Sequence, residues 1–529
     1  MDSSKCSHWQ GDKWVPYVKG GRYKKWYGNL DFVVNWRDGG IDIRQNSSST
    51  IRNEDFLFRS GVTWSDISTG NLSVRITPKG CLFDNAGPAV FSDNRKFYIS
   101  SYLNSKVTNV FLPIINPTLH YTVGTISDLP FKEPGQREEE DGSQIAASCF
   151  EITKRDHRRL ETSWDFEQHP LIQQETSSLE AAYDCWIEQA IDDFFQLHAN
   201  EEELNELLID LYGLEDELSP RVALDDITVL EDELDRDSLE ELDDERDDLS
   251  DDELRERFLE DDPDDALFKV EVPIRQFLSY GIGVMLGRYR LGHDGLHIAH
   301  PNPSSEELAP YEVPVPLSGP ESNGTEQFEI DDDAIVPLMG RDSPFSDDAV
   351  HRMRDLVRLI WGEETLTENL NFINHALSVG RSRGLVNDYE KTMEEWLVGD
   401  FWDWHKSLYS VPYYGKKPIY WLFQSPEGHF QVLVYMHRMD KYTPQRVRQD
   451  YLQRYQEWLR REIESLEAQG EETLSTDPSK RLDTLRAAAA DCRDYDAILK
   501  DVADQQIEID LDDGVQNNYP TFGDAVAEF

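Results

Sequence analysis

The sequence predicts an α+β protein in which a mostly β N-terminal domain precedes largely helical domains with a small β-hairpin element. Three observations indicate this class. Short runs rich in β-branched and aromatic residues, separated by Gly, Asn and Pro, fill residues 1–132. Apolar residues at helical spacing dominate the remainder. Two apolar runs on either side of Pro426-Glu427-Gly428 form the pattern of a hairpin.

The first predicted domain, residues 1–132, takes its strands from LDFVVNW, LSVRIT, GCLFDNAG and AVF. A helix is expected in KFYISSYLNSKVTNVFLPII, because apolar residues from Tyr98 to Phe111 recur at helical spacing. The chain of 529 residues has room for three or four domains in all.

The second predicted domain, residues 133–265, begins with a polar linker over 133–142 and continues with helices from about Ala146 to Tyr212. Its last part, residues 201–265, holds 31 Asp and Glu against five Arg. We interpret the second half of this stretch as an insertion or a partly ordered linker that forms a solvated charge run. Mimicry of nucleic-acid phosphates is an alternative reading.

The third and fourth predicted domains are a mixed helical and β domain over residues 266–440 and a long helix with a tail over 441–529. The third contains a helix with glycines (YGIGVMLGRY), a Pro-, Ser- and Asp-rich loop over 301–345, helices from Asp347 to about Lys406, and the hairpin. The long helix begins at Pro444 and carries one apolar stripe.

Composition excludes several classes of protein. Hydrophobic residues make up 39% of the chain and 13 residues are Trp, whereas disordered acidic proteins are poor in aromatic residues. We expect no membrane span, because the chain has no apolar run of about 18 residues, and no secretory signal, because MDSSKCSHWQGDKW has no apolar core. The five cysteines stand far apart without a C-x-x-C pair, which excludes a disulfide scaffold and a zinc ribbon and favours a cytoplasmic location.

Charge is distributed unevenly along the chain, whose formal net charge is −52. Residues 1–132 carry 16 Lys and Arg against 11 Asp and Glu, while the other residues carry 36 basic and 93 acidic side chains. An acidic surface spread over most segments predicts a salt-loving host. A patch that stays basic on such a protein needs a reason, and short-range contacts to phosphates are one.

The sequence shows no known catalytic pattern. It has no G-x-x-x-x-G-K-[ST] loop, no H-E-x-x-H and no G-x-S-x-G. Asn116-Pro117-Thr118-Leu119 resembles the [DNS]-P-P-[YF] motif of amino methyltransferases but lacks the second Pro and the aromatic residue, so we expect a turn after a helix. The glycines of YGIGVMLGRY predict close helix packing, and we expect His405 and His437 to be packed side chains. No catalytic, cofactor-binding or metal-binding residue is therefore predicted.

A basic and aromatic patch near the N-terminus is the strongest candidate site. Five cations fall within 13 residues and alternate with aromatic rings: Lys13, Lys19, Arg22, Lys24 and Lys25, with Trp26 and Tyr27 among the rings. Cations hold phosphates and aromatic rings pack on sugars or bases, so the pattern favours nucleic-acid binding. Arg75, Lys79 and Lys106 can join the same face. The alternative is an ordinary β-hairpin with lysines on its exposed face.

The same region resembles the target-recognition region of PglX-type methyltransferases, the adenine-specific DNA methyltransferases of BREX phage-defence systems. The resemblance rests on GGRYKKWYGNLDFVVNWRDGGIDI and on the order T-W-S, S-x-R, L-N-S-K, N-P-T, L-P. It continues through IRQFLSYGIGVMLGRYRLGHDGL, KKPIYWLFQS and YMHRMDKYTPQRVRQDYL. The T-W-S element adds Trp64 and Ser65 to the predicted DNA-binding residues.

The resemblance implies duplex DNA, a methyltransferase catalytic domain or chain, and other phage-defence proteins as partners. It implies S-adenosylmethionine as the cofactor of the full-length family, but none in this chain, because the cofactor loop and the N-P-P-Y motif are absent from the sequence. We expect no Rossmann methyltransferase domain here, and either a fragment of a split gene or a separate subunit. A protein-interaction scaffold and an inactive gene remnant are the alternatives.

Overall fold

A computed structural model describes residues 13–68, 70–259, 266–319, 322, 324–379, 391–411, 415–468 and 476–529. These residues form two compact units, the first drawn from Met1–Phe166 and Ile187–Lys269 and the second from Glu167–Trp186 and Val270–Phe529. Both units combine helices with small sheets, which confirms the α+β class. The four domains predicted from the sequence stay a prediction.

The strands of the first unit form two three-stranded sheets. They are β1 (Trp14–Val18), β2 (Phe32–Asn35), β3 (Val62–Trp64), β4 (Val74–Ile76), β5 (Leu82–Phe83) and β6 (Ala89–Val90). Their orders are β2-β1-β5 and β4-β3-β6. β1 pairs antiparallel with β2 and parallel with β5, while β3 pairs antiparallel with β4 and β6. The four segments predicted as strands contain β2, β4, β5 and β6.

The helices of the first unit are α1 (Arg37–Gln45), α2 (Lys96–Asn104), α3 (Lys106–Ile115), α4 (Val123–Ser127), α5 (Gln136–Arg158), α6 (Leu179–Tyr212, from Ile187 onward), α7 (Arg236–Glu245) and α8 (Asp251–Phe258). The helix predicted after the strands is present as α2 and α3, and the Ser105 side chain caps α3. The polar linker predicted over 133–142 is wrong, because α5 begins at Gln136 with carboxylates in its first turn, where the helix dipole favours them.

The core of the first unit joins its strands to its helices. A small apolar cluster contains Val15, Trp36 and Leu82. A larger one contains Trp64 of β3, apolar residues of α2 and α3, and Leu208 of α6. Because α6 packs on the same core as β3, its polar residues are brought close to the N-terminal strands.

The acidic segment is folded as far as it is described, through residue 259. Leu239, Leu254 and Phe258 are buried, so α7 and α8 each present an apolar side to the core. A capping box between Ser250 and Glu253 starts α8. The expectation of a partly ordered linker is wrong for these residues, because the leucines spaced between carboxylates supply buried surface. Residues 260–265 lie outside the described part of the chain.

The second unit is mostly helical. Its helices are α9 (Glu271–Met285), α10 (Ala349–Trp361), α11 (Leu366–Val379), α12 (Met393–Gly399), α13 (Phe401–Leu408), α14 (Thr443–Arg446), a π-helical turn (Val447–Leu452), α15 (Gln453–Ala468), α16 (Thr476–Gln505) and α17 (Gly514–Asn518). Its strands are β7 (Tyr311–Val315), β8 (Gly324–Phe328), β9 (Ile335–Pro337), β10 (Ser410–Val411), β11 (Gly415–Lys416), β12 (Tyr420–Gln424) and β13 (Gln431–Tyr435). Among the described residues these strands form sheets with the orders β12-β13-β9, β7-β8 and β10-β11.

Two sequence-based expectations for this unit have opposite outcomes. The hairpin around Pro426-Glu427-Gly428 is confirmed, since β12 and β13 pair antiparallel and Tyr420 lies opposite Tyr435. The loop predicted over 301–345 is wrong in part, because it contains the β7-β8 hairpin and β9. From Tyr311 to Pro314 buried and exposed residues alternate, which is the pattern of a strand, and Pro314 takes one of the exposed positions.

Two expectations from composition concern the membrane and the thiols. Within the described part of the chain, every helix is too short or too polar to cross a bilayer. Cys81, Cys149, Cys185 and Cys492 are free, and Cys6 lies outside the described residues.

A carboxyl pair is packed inside the second unit. Burial and the neighbouring Asp331 raise the pKa of Asp333 to about 8, and burial also raises the pKa of Asp331. The Tyr451 hydroxyl donates to Asp333 at 3.2 Å and to the carbonyl of Ile335 at 3.0 Å. Asp333 is therefore protonated at neutral pH and can donate a hydrogen bond to its neighbour.

We expect stability of the second unit to fall between pH 5 and pH 8. The unfolded carboxyl has a pKa of about 3.9, so the folded state binds more protons over this window and loses that advantage as pH rises through 8. Asp333→Asn keeps a neutral side chain and should reduce the loss by roughly 3–4 kcal/mol, since each pH unit in this window costs about 1.4 kcal/mol. The urea midpoints of the unmodified chain and of the variant, at pH 5 and at pH 8, measure this loss of stability. Exposed Asp332→Asn is the control, and equal pH dependence of the two variants would contradict the assignment.

Candidate nucleic-acid interface

The residues at the centre of the predicted patch face inward. Lys25 Nζ lies 2.6 Å from Glu201 Oε2, and Trp26 Nε1 donates to Glu201 Oε1 at 2.7 Å. All three side chains are buried. Burial works to lower the pKa of Lys25, but Glu201, Tyr23 and Asp226 together outweigh it and the pKa is raised. One carboxylate of α6 thus holds both a cation and an indole of the patch.

The neighbours on each side of this pair are also held by carboxylates of the same unit. Lys24 Nζ lies 3.2 Å from Glu231 Oε2, and the Tyr27 hydroxyl donates to Asp165 Oδ2 at 3.2 Å. Burial and Asp165 raise the pKa of Tyr27. The side chains of residues 24–27 thus contact carboxylates of their own unit, Glu201 in α6 and Asp165 and Glu231 in turns, and their predicted role in DNA binding stays a prediction.

Trp64 and Arg75 belong to the interior as well. Each side chain is 1% exposed. Trp64 Nε1 donates to the Tyr121 carbonyl at 2.6 Å. Arg75 donates to the Lys24 carbonyl at 3.3 Å and lies 3.5 Å from Ser65 Oγ. Neither side chain reaches the surface, so a direct contact with DNA would require them to move.

The other predicted residues remain accessible. Arg22 and Lys79 are exposed. Lys13, Lys19 and Lys106 are half-buried, with Lys13 Nζ 5.3 Å from the Trp14 ring centre and Lys19 Nζ 5.6 Å from that of Phe32. Burial lowers the pKa of Lys106. These five cations are the part of the predicted site that a phosphate can approach.

A small pocket brings Arg22 and Ser65 together. Its walls are Gly21, Arg22, Tyr23, Ser65, Ser68, Leu72, Ser73 and Tyr121. The Gly21 amide donates to Ser65 Oγ at 3.0 Å. Gly20 has φ of +85°, and a Cβ there would lie 2.7 Å from the Ala86 carbonyl oxygen. The glycine pair therefore lets two protein segments approach each other closely.

The loop after α3 borders this pocket and was not predicted as part of the site. Asn116 Nδ2 donates to the His120 carbonyl at 2.7 Å, and Asn116 Oδ1 accepts from the Thr118 amide at 3.1 Å. The Asn-Pro-Thr-Leu run is thus a turn after a helix, as predicted. The Tyr121 amide donates to the Asp66 carbonyl at 2.6 Å, which fixes the loop beside Ile67.

The second basic stretch, residues 437–461, is largely neutralised within the second unit. Arg446 pairs with Asp440 at 2.8 Å and Arg448 with Asp496 at 2.9 Å. Arg438 is buried and donates to the carbonyls of Leu286 and Asp331. This stretch ties helices and strands together and leaves little free charge for a ligand.

The histidines and glycines singled out from the sequence have the packing roles predicted for them. His405 is fully buried, lies 4.7 Å from the Tyr420 ring centre, and accepts from the Tyr420 amide at 3.1 Å. Burial lowers the pKa of His405, and it lowers that of His437 to about 4. At Gly283 a Cβ would lie 2.6 Å from the Tyr289 ring, so the helix needs a glycine at that contact.

Two curated proteins are similar to this chain over almost all of its length. The adenine-specific methyltransferase BrxX of Escherichia coli O9:H4 (strain HS) is 34% identical over 529 residues, which cover 98% of this chain and 40% of that protein. The adenine-specific methyltransferase PglX of Lacticaseibacillus casei (strain Zhang) is 32% identical over 528 residues, which cover 96% and 38%. The chain thus spans about two fifths of the length of these relatives. No family model matches it.

These identities confirm the predicted resemblance as homology to a segment of adenine-specific methyltransferases. The role of that segment and the salinity of the host stay predictions. The motifs that carried the resemblance lie in the first unit and in the helices and hairpin of the second.

Removal of the Glu201 charge should strongly destabilise the first unit. Glu201→Gln leaves the Lys25 ammonium buried without a counter-charge, which costs roughly 3–5 kcal/mol of unfolding free energy. Glu231→Gln is the matched control, because its partner Lys24 lies nearer the surface and the loss should stay below about 1 kcal/mol. Urea denaturation of both variants measures the difference. If both variants lost the same unfolding free energy, the buried Lys25–Glu201 pair would not be the main contact that stabilises the N-terminal segment on α6.

Proposed function

We propose that this chain is a DNA-recognition portion of a PglX-type, adenine-specific DNA methyltransferase of a BREX phage-defence system. It binds duplex DNA for methylation by a catalytic domain whose motifs this sequence does not contain. Homology to a segment of two adenine-specific methyltransferases supports the proposal. The cofactor of the reaction, S-adenosylmethionine, belongs to the catalytic domain.

The chemistry of adenine methylation is consistent with such a division of labour. The target base must leave the helical stack and enter a pocket beside the methyl donor. A recognition portion contributes affinity and register by contacting phosphates and base edges, without touching the reacting atoms. It needs accessible cations and exposed loops and no catalytic group of its own.

One observation carries the proposal. Arg22 and Lys79 are exposed, and neither forms an ion pair with a carboxylate among the described residues, although Asp and Glu outnumber Lys and Arg by two to one in the chain. Lys24 and Lys25, a few residues away, are both paired. Cations left unpaired on so acidic a protein suit a polyanionic partner, since short-range phosphate contacts persist when long-range attraction is screened.

A protein-interaction scaffold has one observation in its favour. Apolar side chains on and after α3 are exposed, with Ile114 at 76%, Val123 at 55% and Val110 at 42%. Exposed apolar residues that lie together indicate a protein contact. A catalytic domain of the same enzyme would also cover such a surface, so it is compatible with the recognition function.

Neutralising the two unpaired cations should weaken DNA binding. Arg22→Gln with Lys79→Gln removes two phosphate contacts and should lower the affinity for duplex DNA about tenfold or more at low salt, measured by fluorescence anisotropy. The control is Arg37→Gln with Arg44→Gln, which removes the same charge from exposed arginines that are paired with Asp42 and Glu54.

The control should bind DNA like the unmodified chain. Equal binding by both double variants would refute the assignment of these cations. Absence of DNA binding by the unmodified chain at any salt concentration, with the catalytic domain supplied, would refute the recognition function and favour the scaffold.

A further inference from the structure

A buried guanidinium in the first unit, that of Arg75, forms no ion pair among the described residues, and Asp31 is the carboxylate that acts on it from a distance. Arg75 is 1% exposed, and its Nε has no hydrogen-bond partner. It donates to the Lys24 carbonyl at 3.3 Å and to the Ser65 hydroxyl at 3.5 Å, and both contacts are long for a charged donor. No carboxylate among the described residues forms an ion pair with it, and burial lowers its pKa to about 10. Such a group is costly unless an anion completes its surroundings.

The weak hydroxyl contact leads from Arg75 to the surface pocket. Ser65 Oγ lies between the guanidinium, at 3.5 Å, and the Gly21 amide, which donates to it at 3.0 Å. Ser65 also lines the pocket, and Arg22 stands in its wall with an exposed side chain. The Ser65 hydroxyl itself donates to the Gly21 carbonyl at 3.2 Å, a long hydrogen bond that it can exchange for a stronger one to an anionic oxygen in the pocket.

The pocket walls contain donors and no carboxylate. Arg22 supplies a charge, and Ser65, Ser68 and Ser73 supply hydroxyl groups. The neighbouring carboxylate of Asp66 is engaged by His120 at 3.2 Å. A small site with one mobile cation, several hydroxyls and a buried positive charge behind it suits a tetrahedral oxyanion.

We propose that this pocket binds one phosphate group of the DNA backbone, with Arg22 and Ser65 in contact with the phosphate and Arg75 as a buried positioning charge behind Ser65. The assignment rests on the proposed function and makes it more specific. It explains why a guanidinium is buried without an ion-pair partner among the described residues. It also places a backbone contact beside the exposed side chains of Ile67 and Leu119, where base edges would lie.

The test compares single variants by the salt dependence of DNA binding. Loss of one phosphate contact should lower the slope of log affinity against log salt by about one and weaken binding several-fold. We expect both effects for Arg22→Gln, weaker binding at an unchanged slope for Ser65→Ala because a hydroxyl carries no charge, and unchanged slope and affinity for the control Arg37→Gln. Arg22 should tolerate the change, because its side chain forms no hydrogen bond or ion pair with another described residue, while its backbone carbonyl, which accepts from Asn29 at 2.9 Å, is kept.

A second measurement uses inorganic phosphate at constant ionic strength. It should raise the thermal unfolding midpoint of the unmodified chain and of Arg37→Gln, but not that of Arg22→Gln. If the unmodified chain binds DNA, and Arg22→Gln keeps its slope while Ser65→Ala keeps its affinity, the phosphate pocket is refuted while DNA recognition stands. Protection by phosphate without any DNA binding would refute the backbone assignment together with the proposed function.

Discussion

The first unit depends on a buried interaction in which one carboxylate serves two residues of the N-terminal segment. Glu201 accepts from Lys25 and from the Trp26 indole, 175 residues or more away in sequence. A desolvated pair of this kind stabilises only when its geometry is complete, so it fixes how α6 meets the strands. The Tyr27 contact with Asp165 extends the same attachment. Because these groups are shielded from solvent, added salt should weaken the attachment little.

This interaction changes the meaning of the charge asymmetry along the chain. A basic N-terminal segment on an acidic body looks like a ligand-binding patch, but part of its charge complements the helices of the same unit. Lys24 and Lys25 form ion pairs with carboxylates of this unit, whereas Arg22 and Lys79 form none among the described residues. The local net charge therefore overstates the accessible charge. What remains for a polyanion is a smaller set of cations around the pocket.

Local patterns were readable from the sequence, and long-range partners were not. The hairpin at residues 420–435 and the helix after Pro444 follow from turn residues and apolar spacing. Which of two adjacent lysines points inward depends on where α6 lies, and no local signal reports that. The same limit applies to Arg75 in β4. Its place in the strand does not show that residues on both faces of β4 are buried, as they are in the structure. The turn at Asn116 was predicted, but its position beside the pocket required the tertiary fold.

The residues that carry the resemblance to methyltransferases are mainly packing residues. Trp64 and Arg75 are buried, and Asn104 exchanges hydrogen bonds with the backbone of Val74 at 2.8 and 3.1 Å. Such residues preserve a framework, and they are therefore what a sequence comparison detects. Side chains that read DNA must instead project from the framework, where packing does not constrain their identity. Ile67 and Leu119, exposed at 61% and 54% on loops held by backbone hydrogen bonds, occupy positions of that kind. Under the proposed recognition function, proteins with this framework can differ in target while sharing the motifs.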